Sequence, residues 1–226
     1  MTESFIKPED LVKISIAESN IAEQVRTLCK LLVDEYMYVN DLFKLFANHM
    51  YVAVESEYPK VRNSKENLEN ASDKAMEYLV RVGIGLGFKD IYASIMQEIS
   101  KAAELLDTAA YKLVILSKLR PKLTDKISAL MERILENIKL SLEKLDTAAS
   151  LFLVNPKKAI EISFEISKIE ASIDELYRDM NISLIAEVES EKVLIILKDV
   201  VDTLEEIADV IRHAATYIRY ISLHRV

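Results

Sequence analysis

Glycine and proline are nearly missing from this chain, with 3 and 4 in 226 residues. Residues that reverse or break a backbone are therefore rare, and few, long elements follow. Cysteine is rarer still. Cys29 stands alone, so there is no disulfide framework and no thiolate metal cluster. Histidine occurs at 49, 213 and 224, and the residues three before are Phe46, Val210 and Ile221. None is a carboxylate, which removes the Glu-x-x-His pairs of a ferritin-like di-iron oxidase. No histidine stands in a motif for nucleophilic catalysis. Basic runs are also lacking. The net charge of −8 argues against nucleic acid, which needs a concentrated basic surface. Apolar runs such as "VLIIL" at 193–197 are far too short to span a bilayer. The start, "MTESFIKPED", has no basic stretch followed by an apolar one, as a signal peptide would. The expectation is a soluble cytoplasmic protein with no direct membrane insertion.

Half the residues are hydrophobic and 29% are charged, which is globular composition, rich in the residues that favour helices. The few breakers divide the chain into six. Pro8, followed by Glu9 and Asp10, suits a helix start, and that first helix runs to about Ser56. "EYP" at 57–59 ends it, because proline disfavours helix in the residue before it. A second helix covers about 62–82 and stops at "GIGLGF", 83–88. No strand precedes those glycines and their spacing is incomplete for a dinucleotide loop. The third helix covers about 89–119. "RP" at 120–121 starts the fourth, which ends near Val154, and "NP" at 155–156 starts the fifth, to about Glu187. The sixth runs from about Ser190 to the end. Ile162, Ile166, Ile169, Ile173, Leu176, Met180 and Leu184 form a 3/4 stripe in the fifth helix. Val193, Leu197, Val200, Leu204, Ile207, Ile211, Ala214 and Ile218 do so in the sixth. Such stripes face other helices.

The carboxylates carry a repeat. "ENASD" at 69–73 and "EASID" at 170–174 both read E-x-x-x-D, each on the second helix of a three-helix half. The plan is therefore all-α: six long helices in two tandem three-helix bundles, residues 1–120 and 121–226. On the sixth helix Asp202, Glu205 and Asp209 lie at i, i+3 and i+7, beside an apolar seam. Glu205 and Asp209 repeat the E-x-x-x-D spacing. Like charges one turn apart weaken a helix by a few tenths of a kcal/mol, and the bland explanation is a solvated face with local cations. Lys198 is placed to pair with Asp202, Arg178 with Asp174, and Arg212 or His213 with Asp209. Glu170 and Glu205 have no cation one turn away on their own helices. Near an apolar seam, uncompensated carboxylates are costly. A hard cation bound by oxygen, such as Mg²⁺, Mn²⁺, Ca²⁺ or iron, would offset that cost. In the first half Glu69 and Asp73 fit the same motif, but Ser100 and Ala103 stand where Asp202 and Glu205 stand when Asp107 is matched to Asp209.

"SKIEASIDELYRDM" at 167–180 and "LKDVVDTLEEIADVIRHAATYI" at 197–218 resemble the metal-motif helices of PhoU and its relatives, the phosphate-transport regulators. "FKDI" at 88–91 resembles the start of that family's third helix. The short chain looks most like the branch that accompanies inorganic phosphate permeases. The resemblance implies paired three-helix bundles and divalent or trivalent metal ions held by carboxylates, with iron, Mg, Mn and Zn as candidates. The implied ligands are Glu170, Asp174, Asp202, Glu205 and Asp209, with Glu69 and Asp73 in the first half. The implied role is regulation of phosphate uptake through a transporter or sensor, by binding and not by catalysis; a homodimer is compatible with it. The alternative is a metal-free helical scaffold or dimerisation module. Aromatics in "DEYMYVNDLF" at 34–43 read as core, or as an exposed contact patch. Tyr177 is placed to order the metal face through a hydrogen bond, or to stand at the bundle edge with its hydroxyl in water.

Overall fold

The computed structural model of the chain describes residues 15–83 and 86–226. Its elements are α1 (Ile16–Ala47), α2 (Tyr51–Val82), α3 (Lys89–Leu119), α4 (Asp125–Leu151), α5 (Pro156–Glu187) and α6 (Glu191–Leu223). Among the described residues there is no strand, and the fold is an all-α helical bundle. Polar side chains fix several helix starts by accepting otherwise orphaned amide protons. Ser15 Oγ accepts from the Glu18 amide at 3.1 Å, Thr124 Oγ1 from Ile127 at 3.4 Å, and Asn155 Oδ1 from Lys158 at 3.2 Å. Pro156 follows as the first residue of α5, where its missing N–H costs nothing. The expected start at Pro8, with Glu9 and Asp10, lies outside the described residues.

Two sequence expectations need correction. The break between α1 and α2 falls at 48–50, not at 57–59. His49 takes the left-handed conformation at φ 58°, its amide donates to Phe46 O at 2.9 Å, and the Met50 amide donates to Leu45 O at 2.9 Å. That double closure ends a helix even without glycine. Tyr51 then fastens the turn to the other half of the chain, donating its hydroxyl to Pro121 O at 2.7 Å. Pro59 sits inside α2. The apolar face of Val54, Val61, Leu68, Ala75 and Leu79 is fully or almost fully buried across it, so packing outweighs the one backbone bond that proline removes. The second correction is α4, which begins at Asp125 and ends at Leu151. Arg120, at φ 47°, closes α3, and the chain passes through 120–124 before Thr124 caps the next helix.

Helices α1, α2 and α3 pack on one another, as do α4, α5 and α6; α3 with α6 and α1 with α4 join the two sets. The buried apolar side chains form one continuous core through all six helices. The α3–α6 pairing is the most extensive. Ala102, Ala103, Ala109 and Ala110 on α3, and Ala208, Ala214 and Ala215 on α6, are all buried, and small side chains let helix axes approach closely. Polar groups edge this seam: Lys112 Nζ lies 2.9 Å from Asp199 Oδ1 and donates to Thr203 Oγ1 at 2.8 Å. Lys101 pairs with Glu206 at 2.9 Å. At one end of the bundle Arg225 pairs with Glu18, which also accepts the Tyr92 hydroxyl at 3.1 Å. No helix among the described residues is long and apolar enough to cross a membrane.

Pro59 is exposed on α2, so replacing it should restore an amide without disturbing the core. The helix-interior penalty of about 3 kcal/mol, less the roughly 1 kcal/mol that proline gains by restricting the unfolded chain, leaves an expected stabilisation of about 2 kcal/mol for Pro59→Ala. Urea denaturation measures it, and a neutral or destabilised variant would refute this account of the α2 backbone.

Candidate functional site

The packing of α5 on α6 brings the carboxylates of both helices to one half-buried face. Glu170 and Asp174 come from α5; Asp202, Glu205 and Asp209 come from α6; each is partly buried. They stand there because the apolar stripes beside them are turned into the bundle: Ile173 on α5, and Val201, Leu204 and Ala208 on α6, are all buried.

The local pairs expected from spacing are present. Lys198 Nζ lies 2.7 Å from Asp202 Oδ2, Arg178 is 4.0 Å from Asp174, and an Arg212 terminal nitrogen donates to Asp209 Oδ1 at 3.0 Å. Glu170, however, does have a cation. Arg212 Nε donates across the helix pair to Glu170 Oε1 at 3.0 Å. One guanidinium thus bridges α5 and α6, using its fork of donors on two carboxylates. Tyr177 donates its hydroxyl to Asp202 Oδ1 at 2.9 Å, so it orders the acidic face. His213 stands between this face and α3, with Nε2 3.1 Å from an Arg212 terminal nitrogen and Nδ1 4.0 Å from Glu98 Oε1.

Glu205 is in no ion pair or side-chain hydrogen bond among the described residues. Burial raises its pKa first, and the negative charges of Asp209, Asp174, Asp202 and Glu170 raise it further. The other four carboxylates therefore surround Glu205 electrostatically. Glu170 is also raised, by burial above all; Arg212 opposes the rise, while Asp174 and Asp209 add to it.

The donor chemistry of this face, carboxylate oxygens only, suits a hard cation. Its folded geometry is already committed elsewhere. Arg212 holds the place between Glu170 and Asp209, and Lys198 holds Asp202. Among the described residues no three histidine, cysteine, aspartate or glutamate side chains are grouped so as to hold a metal ion.

The first half is arranged differently. Glu69 pairs with Lys65 at 3.1 Å on its own helix, and Asp73 is exposed. Where α6 carries Asp202 and Glu205, α3 carries Ser100, which shares a 2.8 Å hydrogen bond with Ser72, and the buried Ala103. Asp107 accepts the Tyr58 hydroxyl at 2.9 Å. The acid at the centre is Glu35 of α1, which the sequence reading passed over. It is fully buried, and neither carboxylate oxygen has a hydrogen-bond partner among the described residues. Burial, then Asp107, pushes its pKa up to about 9; Lys65 opposes this and Glu69 adds to it. A signal was available, since Glu35 falls in the apolar stripe of Leu32, Tyr36 and Val39, all buried. Of the neighbouring aromatics, Tyr36 and Phe43 are core, while Tyr38 is exposed.

No protein-family model matches the sequence, and no curated protein does. Among solved structures, the chain is similar to one from Shewanella oneidensis MR-1 described as a PhoU-like phosphate regulatory protein. The TM-score is 0.66 at 11% identity, over 91% of this chain and 100% of the other. A second structure from the same organism, described as a PhoU-like protein, has a TM-score of 0.58 at 11% identity, over 90% of this chain and 96% of that one. The fold is therefore PhoU-like.

Glu35 gives a pH dependence of definite sign. Its proton is held to about pH 9 in the fold, against an ordinary value of 4.5. Between those values the unfolded chain binds fewer protons than the native one. The stability linked to Glu35 is thus complete below the lower value and is lost as pH rises towards the upper, by at most about 1.4 kcal/mol per pH unit. Glu35→Gln cannot ionise. Its stability relative to the wild type should increase by about 1 kcal/mol or more between roughly pH 5.5 and pH 8.5. Denaturant titrations at the two pH values check this; parallel pH profiles would show that Glu35 does not carry the effect.

Proposed function

We propose that this chain is a PhoU-like regulator of inorganic phosphate transport, working in the cytoplasm by binding a transporter or an associated sensor and not by catalysis. The observation that carries the reading is the similarity of fold over nearly the whole of both chains to a protein described as a PhoU-like phosphate regulatory protein. The division into two three-helix repeats, 1–120 and 121–226, belongs to the same proposal. It is supported by the mutual packing within α1–α3 and within α4–α6.

Within this reading the α5–α6 face is a cation site for Mg, Mn, iron or Zn. Glu205 is its central ligand, and Glu170, Asp174, Asp202 and Asp209 are the others. A bound ion would supply the positive charge that the unpaired Glu205 lacks. Arg212 is then the resident competitor, because it must give up Glu170 and Asp209 before those oxygens can turn to an ion. In the first half Glu69 is the candidate ligand, with Asp73 contributing only from the surface. One observation favours the second reading, a metal-free helical scaffold or dimerisation module: Arg212 and Lys198 already pair with three of the five acids and offset two of their charges.

Two measurements separate these readings. Deleting the gene in its source organism should change phosphate uptake, with the wild-type gene restoring it; unchanged uptake at both low and high phosphate would sink the transport role. Metal content by elemental analysis, with protein purified without a chelating tag, addresses the ion. Arg212→Gln should raise metal uptake above that of the wild type, and Glu205→Gln should lower it. Absence of stoichiometric metal from the wild type and from Arg212→Gln would leave the scaffold reading standing.

A further inference from the structure

Where α1 packs against α4, and away from the acidic face, the fold leaves an open cavity of about 410 Å³. Its floor is apolar. Tyr36, Phe43, Leu113, Met131, Leu135 and Leu197 line it, and each is at most 8% exposed. The one hydroxyl among them, on Tyr36, donates to the Leu135 carbonyl, so this floor offers no free hydroxyl to a guest. The volume falls within the roughly 300–1,000 Å³ of small-molecule sites.

The lining also includes four charged side chains, Lys44, Glu132, Glu136 and Lys139. The lysines have partners outside the cavity: Lys44 lies 3.0 Å from Asp41, and Lys139 lies 3.8 Å from Glu143. Glu132 and Glu136 are exposed and form no ion pair among the described residues. One turn apart on α4, they repel each other. Arg133 and Lys139 lie one turn from Glu136 on α4 but pair with neither glutamate, so the cavity combines an apolar floor with two unpaired carboxylates at its edge, among the described residues.

We propose that this cavity binds a small amphipathic cation, an alkyl- or arylalkyl-ammonium compound. Its hydrocarbon part fills the floor, and its ammonium group sits at Glu132 and Glu136. Burying the hydrocarbon supplies most of the affinity, and the two carboxylates select the sign of the head group. The site uses no residue of the α5–α6 face and does not depend on the role in phosphate transport.

The test uses three probes with one tail: octylammonium, octanol and octanoate. Calorimetric titration of the full chain should find octylammonium roughly three- to tenfold tighter than octanol, as expected for two exposed carboxylates, with octanoate weakest. Replacing both Glu132 and Glu136 by Gln should bring octylammonium to the level of octanol and leave octanol unchanged. Met131→Trp fills the floor and should abolish binding of all three probes; circular dichroism checks its folding, and Leu123→Trp at the cavity wall serves in its place if it does not fold. The proposal is overturned if octanoate binds as tightly as octylammonium, if the double glutamine variant changes nothing, or if binding survives the tryptophan variant.

Discussion

The pairing of α3 with α6, the most extensive in the fold, sets the position of everything else. Both helices bury several alanines, side chains small enough for close packing, and once the pairing is made the rotation of α6 about its axis is fixed. With Ala208, Ile211, Ala214 and Ala215 turned into the core, two polar edges are left on either side of the buried stripe. One edge, Asp199, Thr203, Glu206 and His213, meets α3 through Lys112, Lys101 and Glu98. The other, with Asp209 and Arg212, meets α5 through Glu170. The acidic face is thus a consequence of core packing. Rotating α6 by one residue would put these charges into the apolar seam, at a desolvation cost of several kcal/mol per ion. The same pairing supplies part of the cavity floor, because Leu113 belongs to α3 and Leu197 to α6.

Much of the architecture can be read from the sequence because helices announce themselves through apolar period. The α5 and α6 stripes are buried as expected apart from Ile169, which is only half-covered, and α3 spans its expected range. The misplaced boundary between α1 and α2 has a definite cause. Proline is a strong local signal, and at Pro59 that signal competes with a continuous buried face and loses. The real break uses histidine in a left-handed conformation, which no composition rule singles out. The E-x-x-x-D spacing likewise tells which acids share a face but not what answers them. Counting neighbours three and four residues away finds Lys198, Arg178 and the Arg212–Asp209 pair. It cannot find Arg212 reaching Glu170, because that contact is made by packing. Glu35 escaped for a related reason, since a single acid in an apolar stripe has no partner motif to mark it.

Glu35 and Glu170 show how the two halves keep acids near a low-dielectric core by different means. Around Glu170 burial raises the pKa, and a guanidinium that also holds Asp209 opposes the rise. Around Glu35 the nearest cation, Lys65, is paired with Glu69, and Asp107 adds a further negative charge. The charge is therefore removed, and the carboxyl keeps its proton. These solutions respond to different variables. An ion pair of partly buried groups weakens with salt and with competing cations, whereas a buried neutral acid responds to pH.

Glu205 is the most consequential residue of the acidic face. Glu170 and Asp209 have Arg212, Asp202 has Lys198 and the Tyr177 hydroxyl, and Asp174 has a distant Arg178. Glu205 is in no ion pair among the described residues, and the charges that raise its pKa are those of the other four acids. If it ionises, its repulsion with four neighbours is offset by no ion pair of its own; if it stays protonated, the face carries one charge fewer. In the proposed cation site an arriving ion would gain most at Glu205, and an arginine leaving Glu170 and Asp209 would gain nothing unless that ion took its place. Exchange between Arg212 and an external cation would then be concerted in energy even though the residues come from two helices. The contact broken in such an exchange is the guanidinium bridge that ties α5 to α6, so binding at the face would loosen that helix pair.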